Sequence, residues 1–151
     1  MSMINYPGDE EHKAEAVADP ASLSKRAALR VFQRAFVLAG RERNVRQHIR
    51  EAHCLLLWVI EDWDLAWTVI LDRGNIEFDR RPTKHPDLTL TFPTAEEFFK
   101  QVGSNARKDD GPARMGDMTY WKFAQVVYSG FCASLREVLQ NPVDENGIRL
   151  A

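Results

Sequence analysis

The sequence predicts an α+β domain in which a compact group of strands is flanked by helices. Three observations predict it. Apolar and polar residues alternate in two segments, Ile76–Asp79 and Asp87–Phe92, as in half-buried strands. A tight-turn signal, Asp72-Arg73-Gly74-Asn75, joins the strand-like Leu65–Leu71 to the first of them. Two longer segments, Ala28–Ala39 and Tyr120–Val138, instead repeat their apolar residues at helical spacing. A chain of 151 residues fits one domain with one core.

Residues Met1–Ala21 read as an acidic tail with Asp9, Glu10, Glu11, Glu15 and Asp19, broken by Pro7, Gly8 and Pro20. It has too few apolar residues to offset the entropy of ordering itself, and a short helical piece is expected only at Lys13–Val17. Ser22 or Ser24 can cap the first helix, whose stripe is Ala28, Val31, Phe32, Ala35, Phe36, Leu38 and Ala39, with Gly40 suited to its end. Asn44 is expected to cap a second helix reaching about Ala52. Cys54–Ile60 is apolar throughout, which fits a strand covered on both faces or a buried helix; Trp58, Val59 and Ile60 favour the strand.

Glu61, Asp62 and Asp64 suit a turn, and Leu65–Leu71 then directs Trp67, Val69 and Leu71 to one face. Pro82 and Pro86 bracket a polar loop, after which Leu88, Leu90 and Phe92 point inward. Thr94 and Glu97 form a capping box for a helix that buries Phe98, Phe99 and Val102 and stops at Gly103. Ser104–Pro112 reads as a surface loop and Ala113–Met115 as an edge strand. Asp117 is expected to cap the last helix, from about Met118 to Gln140, with Gly130 marking a kink or close packing, and 143–151 follow as a C-terminal tail.

The search for chemistry excludes more than it finds. His12, His48, His53 and His85 have no metal-ligand spacing, and CxxC, GxSxG, GxGxxG and P-loop motifs are all missing, so no metal, cofactor or catalytic residue is expected and the protein is read as not an enzyme. The acidic groups at Glu61, Asp62 and Asp64, and at Asp79 and Asp87, are expected to be solvated. Cys54 and Cys132 lie in apolar runs and read as buried free thiols, with a disulfide as the alternative. The N-terminal stretch resembles no secretory signal, and no apolar run approaches the ~20 residues that span a bilayer, so the cytoplasm is the expected location.

The one charge asymmetry is basic: Lys25, Arg26, Arg30, Arg34, Arg41, Arg43, Arg46 and Arg50, opposed mainly by Glu42 and Glu51. A solvated helix face explains it, as does contact with an anionic membrane surface or an acidic partner. Nucleic acid is not expected, because the aromatics follow a core stripe and do not interleave with the basic residues.

The order of these elements resembles a known family. A helix, then strands closing on Asp72-Arg73-Gly74 and Ile76-Glu77-Phe78, is similar to the opening of the sterol carrier protein 2 (SCP2-like) fold. The segment His85–Phe99, with Pro86-Asp87 before an alternating strand and a Thr-capped helix, resembles that family's most recognisable stretch, and Gly116-Asp117-Met118 its Gly-Asp/Asn segment. The resemblance runs from about Leu23 to Leu139 and implies one domain over 22–142. It implies a mixed, mostly antiparallel five-stranded sheet with helices packed on one face. It also implies an apolar tunnel between them for fatty-acyl chains, sterols or phospholipids, held or transferred without a cofactor. The expected wall of that tunnel is Phe36, Trp58, Trp67, Phe99, Phe123, Val127 and Phe131. The alternative is a module with a filled core that offers a face to a protein partner or to a second copy, as a homodimer.

Overall fold

The computed structural model describes residues 14–103 and 112–151. The expected acidic tail up to Lys13 and most of the Ser104–Pro112 loop lie outside them. In chain order the elements are α1 (Lys25–Arg41), α2 (Arg43–His48), β1 (His53–Ile60), β2 (Leu65–Asp72), β3 (Asn75–Asp79), β4 (Leu88–Phe92), α3 (Ala95–Gly103), β5 (Ala113–Gly116) and α4 (Trp121–Gln140).

The five strands form one mixed sheet in the order β3-β2-β1-β4-β5. Its single parallel pair is β1 with β4, in a register that sets Trp58 beside Leu90; the other pairs are antiparallel. This is the mixed, mostly antiparallel α+β architecture that the resemblance implies. Helices cover one face. Cys54, Leu56, Trp58 and Ile60 of β1, Leu65, Trp67, Val69 and Leu71 of β2, and Leu88, Leu90 and Phe92 of β4 are all buried there.

On the opposite face Leu55, Leu57 and Val59 are half-buried, so β1 is not enclosed on both sides as its apolar run suggested. Flanking strands shield these side chains without a second helical layer. The loop after β3 covers part of this face. Thr68 Oγ1 donates to the Arg81 carbonyl (2.7 Å) and accepts from the Thr83 amide (2.8 Å), which explains a buried threonine on an otherwise open side.

Several local expectations change for identifiable reasons. Ala14–Val17 is not helical; the Val17 amide donates to Leu139 O and the Ala14 amide to the Asn141 side chain. Gly40 does not end α1, which runs on to Arg41. A Cβ at Gly40 would sit 3.6 Å from Ile76 of β3, an ordinary van der Waals distance, so the packing there does not demand a glycine. Asn44 does not cap α2, which starts after Glu42 without a side-chain cap and ends at His48. Ser24 caps α1 and Thr94 caps α3, each accepting from the amide three residues on. Gly130 marks close packing: a Cβ there would lie 2.9 Å from Val45.

Two carboxylates expected to be solvated are structural. Asp62 accepts from the Ala95 amide (2.8 Å), tying the β1–β2 turn to the start of α3. Asp87 accepts from the Leu55 amide (2.8 Å) and its own amide donates to Leu55 O (2.9 Å), which clamps β4 to the parallel β1. The Asp87 carbonyl then accepts from Asp117 (2.8 Å) across Gly116, whose φ is +127°. A side chain at 116 would put its Cβ 2.5 Å from that carbonyl.

Residues 143–151 fold back on α1. Val143 and Arg149 form a β-bridge, Leu150 is buried, Arg30 donates to Arg149 O, and Glu145 pairs with Arg34 and Arg41. Hydrogen bonds from the Ile148 and Asn146 amides hold the Asp144 carboxyl below the usual carboxylate range.

Two measurable consequences follow from this architecture. Gly116→Ala combines a left-handed φ with a backbone collision, so we expect a loss of about 2 kcal/mol or more in urea unfolding, larger than an ordinary surface substitution. Because the folded-state value of Asp144 is depressed, its contribution is present above the unfolded value and is lost as pH falls through the folded one. Amide exchange in 143–151 should therefore accelerate on acidification through the carboxylate range, before exchange in β1 and β2 changes.

Candidate functional site

Six of the seven expected wall residues meet between the sheet and the helices. Helical spacing in α1 brings Phe32 and Phe36 onto the sheet, and alternation in β1 and β2 directs Trp58 and Trp67 toward them. Trp58 and Trp67 are register partners with ring centroids 5.9 Å apart. Phe36 stacks on Phe131 of α4 at 4.2 Å and meets Trp58 edge-on at 5.2 Å. Trp58 and Phe131 are 5.2 Å apart, and Val127 is fully buried beside them on α4. Phe99 reaches the group through Phe32 (6.0 Å) and Phe98 (5.1 Å), and touches half-buried Trp63 at its rim (5.9 Å).

Phe123 lies apart from these rings. It is half-buried on α4, with the Lys122 ammonium 5.1 Å from its ring. The expected wall omitted Phe32, Phe92, Phe98 and Tyr128, all of which pack directly on its members. The signal for Phe32 was present, since it lies one helical turn before Phe36 in the same stripe. For Phe92 and Tyr128 no local pattern could tell wall from core.

Among the described residues, two buried side-chain polar atoms have no protein partner: the indole Nε1 atoms of Trp58 and Trp67, each in a fully buried side chain. Buried donors are nearly always paired, and leaving one unpaired costs ~1–3 kcal/mol. By contrast Tyr128 OH donates to Gln101 (3.1 Å), and burial pushes its phenol well above the usual range. Burial raises the Cys132 thiol to about 11, and burial followed by the nearby Asp87 charge raises Cys54 to about 12. Both are free and buried, and at neutral pH both remain protonated and poorly nucleophilic. Among the described residues no group of His, Cys, Asp and Glu side chains could hold a metal ion. No described helix is long and apolar enough to cross a membrane.

Neither a family model nor a curated protein matches the chain. Among solved structures, the chain is similar to one titled "UbiJ-SCP2 Ubiquinone synthesis protein". The two share 12% identity, the likeness covers 68% of this chain and 86% of that one, and the TM-score is 0.40.

The two unpaired indoles make opposite contributions when altered. Trp58→Phe or Trp67→Phe leaves a small void costing ~1–2 kcal/mol, but also removes a buried donor whose isolation costs a similar amount. We expect each variant to unfold in urea within about 1 kcal/mol of the parent, against a loss of ~3–5 kcal/mol for Phe131→Ala.

Proposed function

We propose that the protein is a non-catalytic binder, able to transfer its cargo, of an elongated and largely apolar molecule such as a fatty acid, sterol or phospholipid, taken up between the sheet and the helices. The observation that carries this reading is the pair of unpaired indole donors on neighbouring strands, in an interior otherwise built of aromatic rings. A ligand oxygen would satisfy donors that the chain leaves unmet. Such an oxygen is best neutral, a hydroxyl, an ester or ketone carbonyl, or a carboxyl in its protonated form, because a carboxylate among these rings would forfeit its hydration without a cation in return.

Phe99 and Trp63 offer the route of entry. Phe99 is 9% exposed and Trp63 half-buried, whereas Trp58, Trp67 and Phe131 are sealed. Displacing Phe99 outward opens the aromatic interior from the α3 side. The protonated thiols and the structural use of Asp62 and Asp87 support a binding role over a chemical one. Two free cysteines accord with the reducing cytoplasm.

The ring packing favours a second reading, a module with a filled core. Contacts as close as the 4.2 Å stack of Phe36 on Phe131 already occupy the space a ligand would take. In that case the fold presents a surface to a protein partner or to a second copy.

Organic extraction of the purified protein followed by mass spectrometry, with a fluorescent fatty-acyl or sterol probe titrated alongside, separates the two. Binding predicts a co-purified apolar molecule and saturable probe uptake, reduced about tenfold in the Trp58→Phe/Trp67→Phe double variant by loss of two hydrogen bonds. An empty extract together with unsaturable probe signal would leave the filled-core module standing.

A further inference from the structure

A second site of different chemistry lies at the end of the sheet where β2 turns into β3. The surface there forms a cleft of about 490 Å³ lined by Arg43, Arg46, Arg50 and Arg73, with Gln47 and Asn75 adding side-chain amides. Its geometry has a local cause. Arg43, Arg46 and Arg50 recur at helical spacing on the outer side of α2 and the turn that follows it, while Val45 and Ile49 anchor the opposite side in the core.

The facing wall is the β2–β3 turn. Arg73 and Gly74 both have positive φ, 52° and 95°, and their amides donate to Ala52 O (2.8 Å) and Ile49 O (3.0 Å). Those two bonds dock the turn against the end of α2. They hold Arg73 in a left-handed conformation that Asn or Gly adopts at lower cost. They also pair the carbonyls of Ile49 and Ala52, in the segment that leads from α2 into β1.

The charges of the cleft are largely unanswered within the described residues. Arg43, Arg46 and Arg50 form no ion pair, and Arg73 has only a 3.7 Å approach to Asp72, which is also 3.3 Å from His53. Four guanidinium groups so placed repel one another, and a multiply charged anion relieves that repulsion while accepting several of their hydrogen bonds.

We propose that this cleft is a binding site for a phosphate group, free or as a lipid headgroup. Guanidinium forks match the paired oxygens of a phosphate, and the site can offer them from two sides. A nucleic acid fits less well, since no aromatic side chain lines the cleft for bases to stack on. The site is independent of the aromatic interior and stands or falls without it.

The test uses the full chain, with inorganic phosphate followed by calorimetry and, in parallel, phosphatidylcholine vesicles with and without phosphatidic acid followed by co-sedimentation. A single-stranded oligonucleotide is the third arm. Arg46→Ala/Arg50→Ala removes two cleft charges, and Arg80→Ala/Lys84→Ala removes two from the loop between β3 and β4. We expect saturable binding of phosphate, of phosphatidic-acid vesicles, or of both, weakened about tenfold or more in the cleft variant and little changed in the loop variant. Binding of vesicles alone identifies the source as a headgroup, and binding of inorganic phosphate alone as a free phosphate compound. Equal weakening in both variants, no saturable binding in either phosphate arm, or tighter binding of the oligonucleotide than of both overturns the proposal. Circular dichroism of the two exposed-site variants keeps a folding defect from being read as loss of the site.

Discussion

The Trp58–Trp67 register is the constraint on which the rest of the structure depends. Antiparallel pairing of β1 with β2 places the two indoles opposite each other, and the β1–β4 parallel register adds Leu90 on the other side of Trp58. A slip of one residue in either strand would turn an indole to the open face and bring Leu57 or Thr68 inward. With the indoles in place, the helices have little freedom. Phe32 and Phe36 must sit over them, and Phe131 must stack on Phe36. Gly130 lets α4 come near enough to do so, because its neighbour Val45 occupies the volume a side chain would need.

That dependence explains which features were legible in the sequence. Alternation in Leu65–Leu71 and Leu88–Phe92, and the α1 stripe, report one-sided burial directly, so the strands, α1 and most of the wall could be read residue by residue. The parallel pairing of β1 with β4 could not. It joins segments 32 residues apart through Asp87 and Leu55, and nothing local distinguishes a carboxylate that will accept a backbone amide from one that will face water. Asp62 is the same case at the other end of β1. Glycines were equally silent about their distant neighbours: the volume that makes Gly130 necessary belongs to Val45, which is far away in sequence.

The candidate sites differ in the same way. Aromatic residues at core spacing pointed to the interior, while the unmatched indole N–H groups emerge only when every neighbour is known. The basic cleft is the reverse. Arg43, Arg46 and Arg50 stood out as a charge asymmetry, yet Arg73 belongs to a turn 23 residues beyond Arg50 and joins them only through the Ile49 and Ala52 carbonyls.

The two candidate sites also meet opposite physical demands, and neither requires the other. The aromatic interior excludes charge, because removing an ionised group from water there has no compensating cation. The cleft does the opposite: its guanidinium groups are exposed and lie at the surface, so they add electrostatic attraction without desolvating an ion. Salt therefore acts on them unequally. Screening weakens attraction at the exposed arginines over roughly 10 Å at moderate ionic strength, whereas packing around Trp58 and Trp67 is nearly indifferent to it.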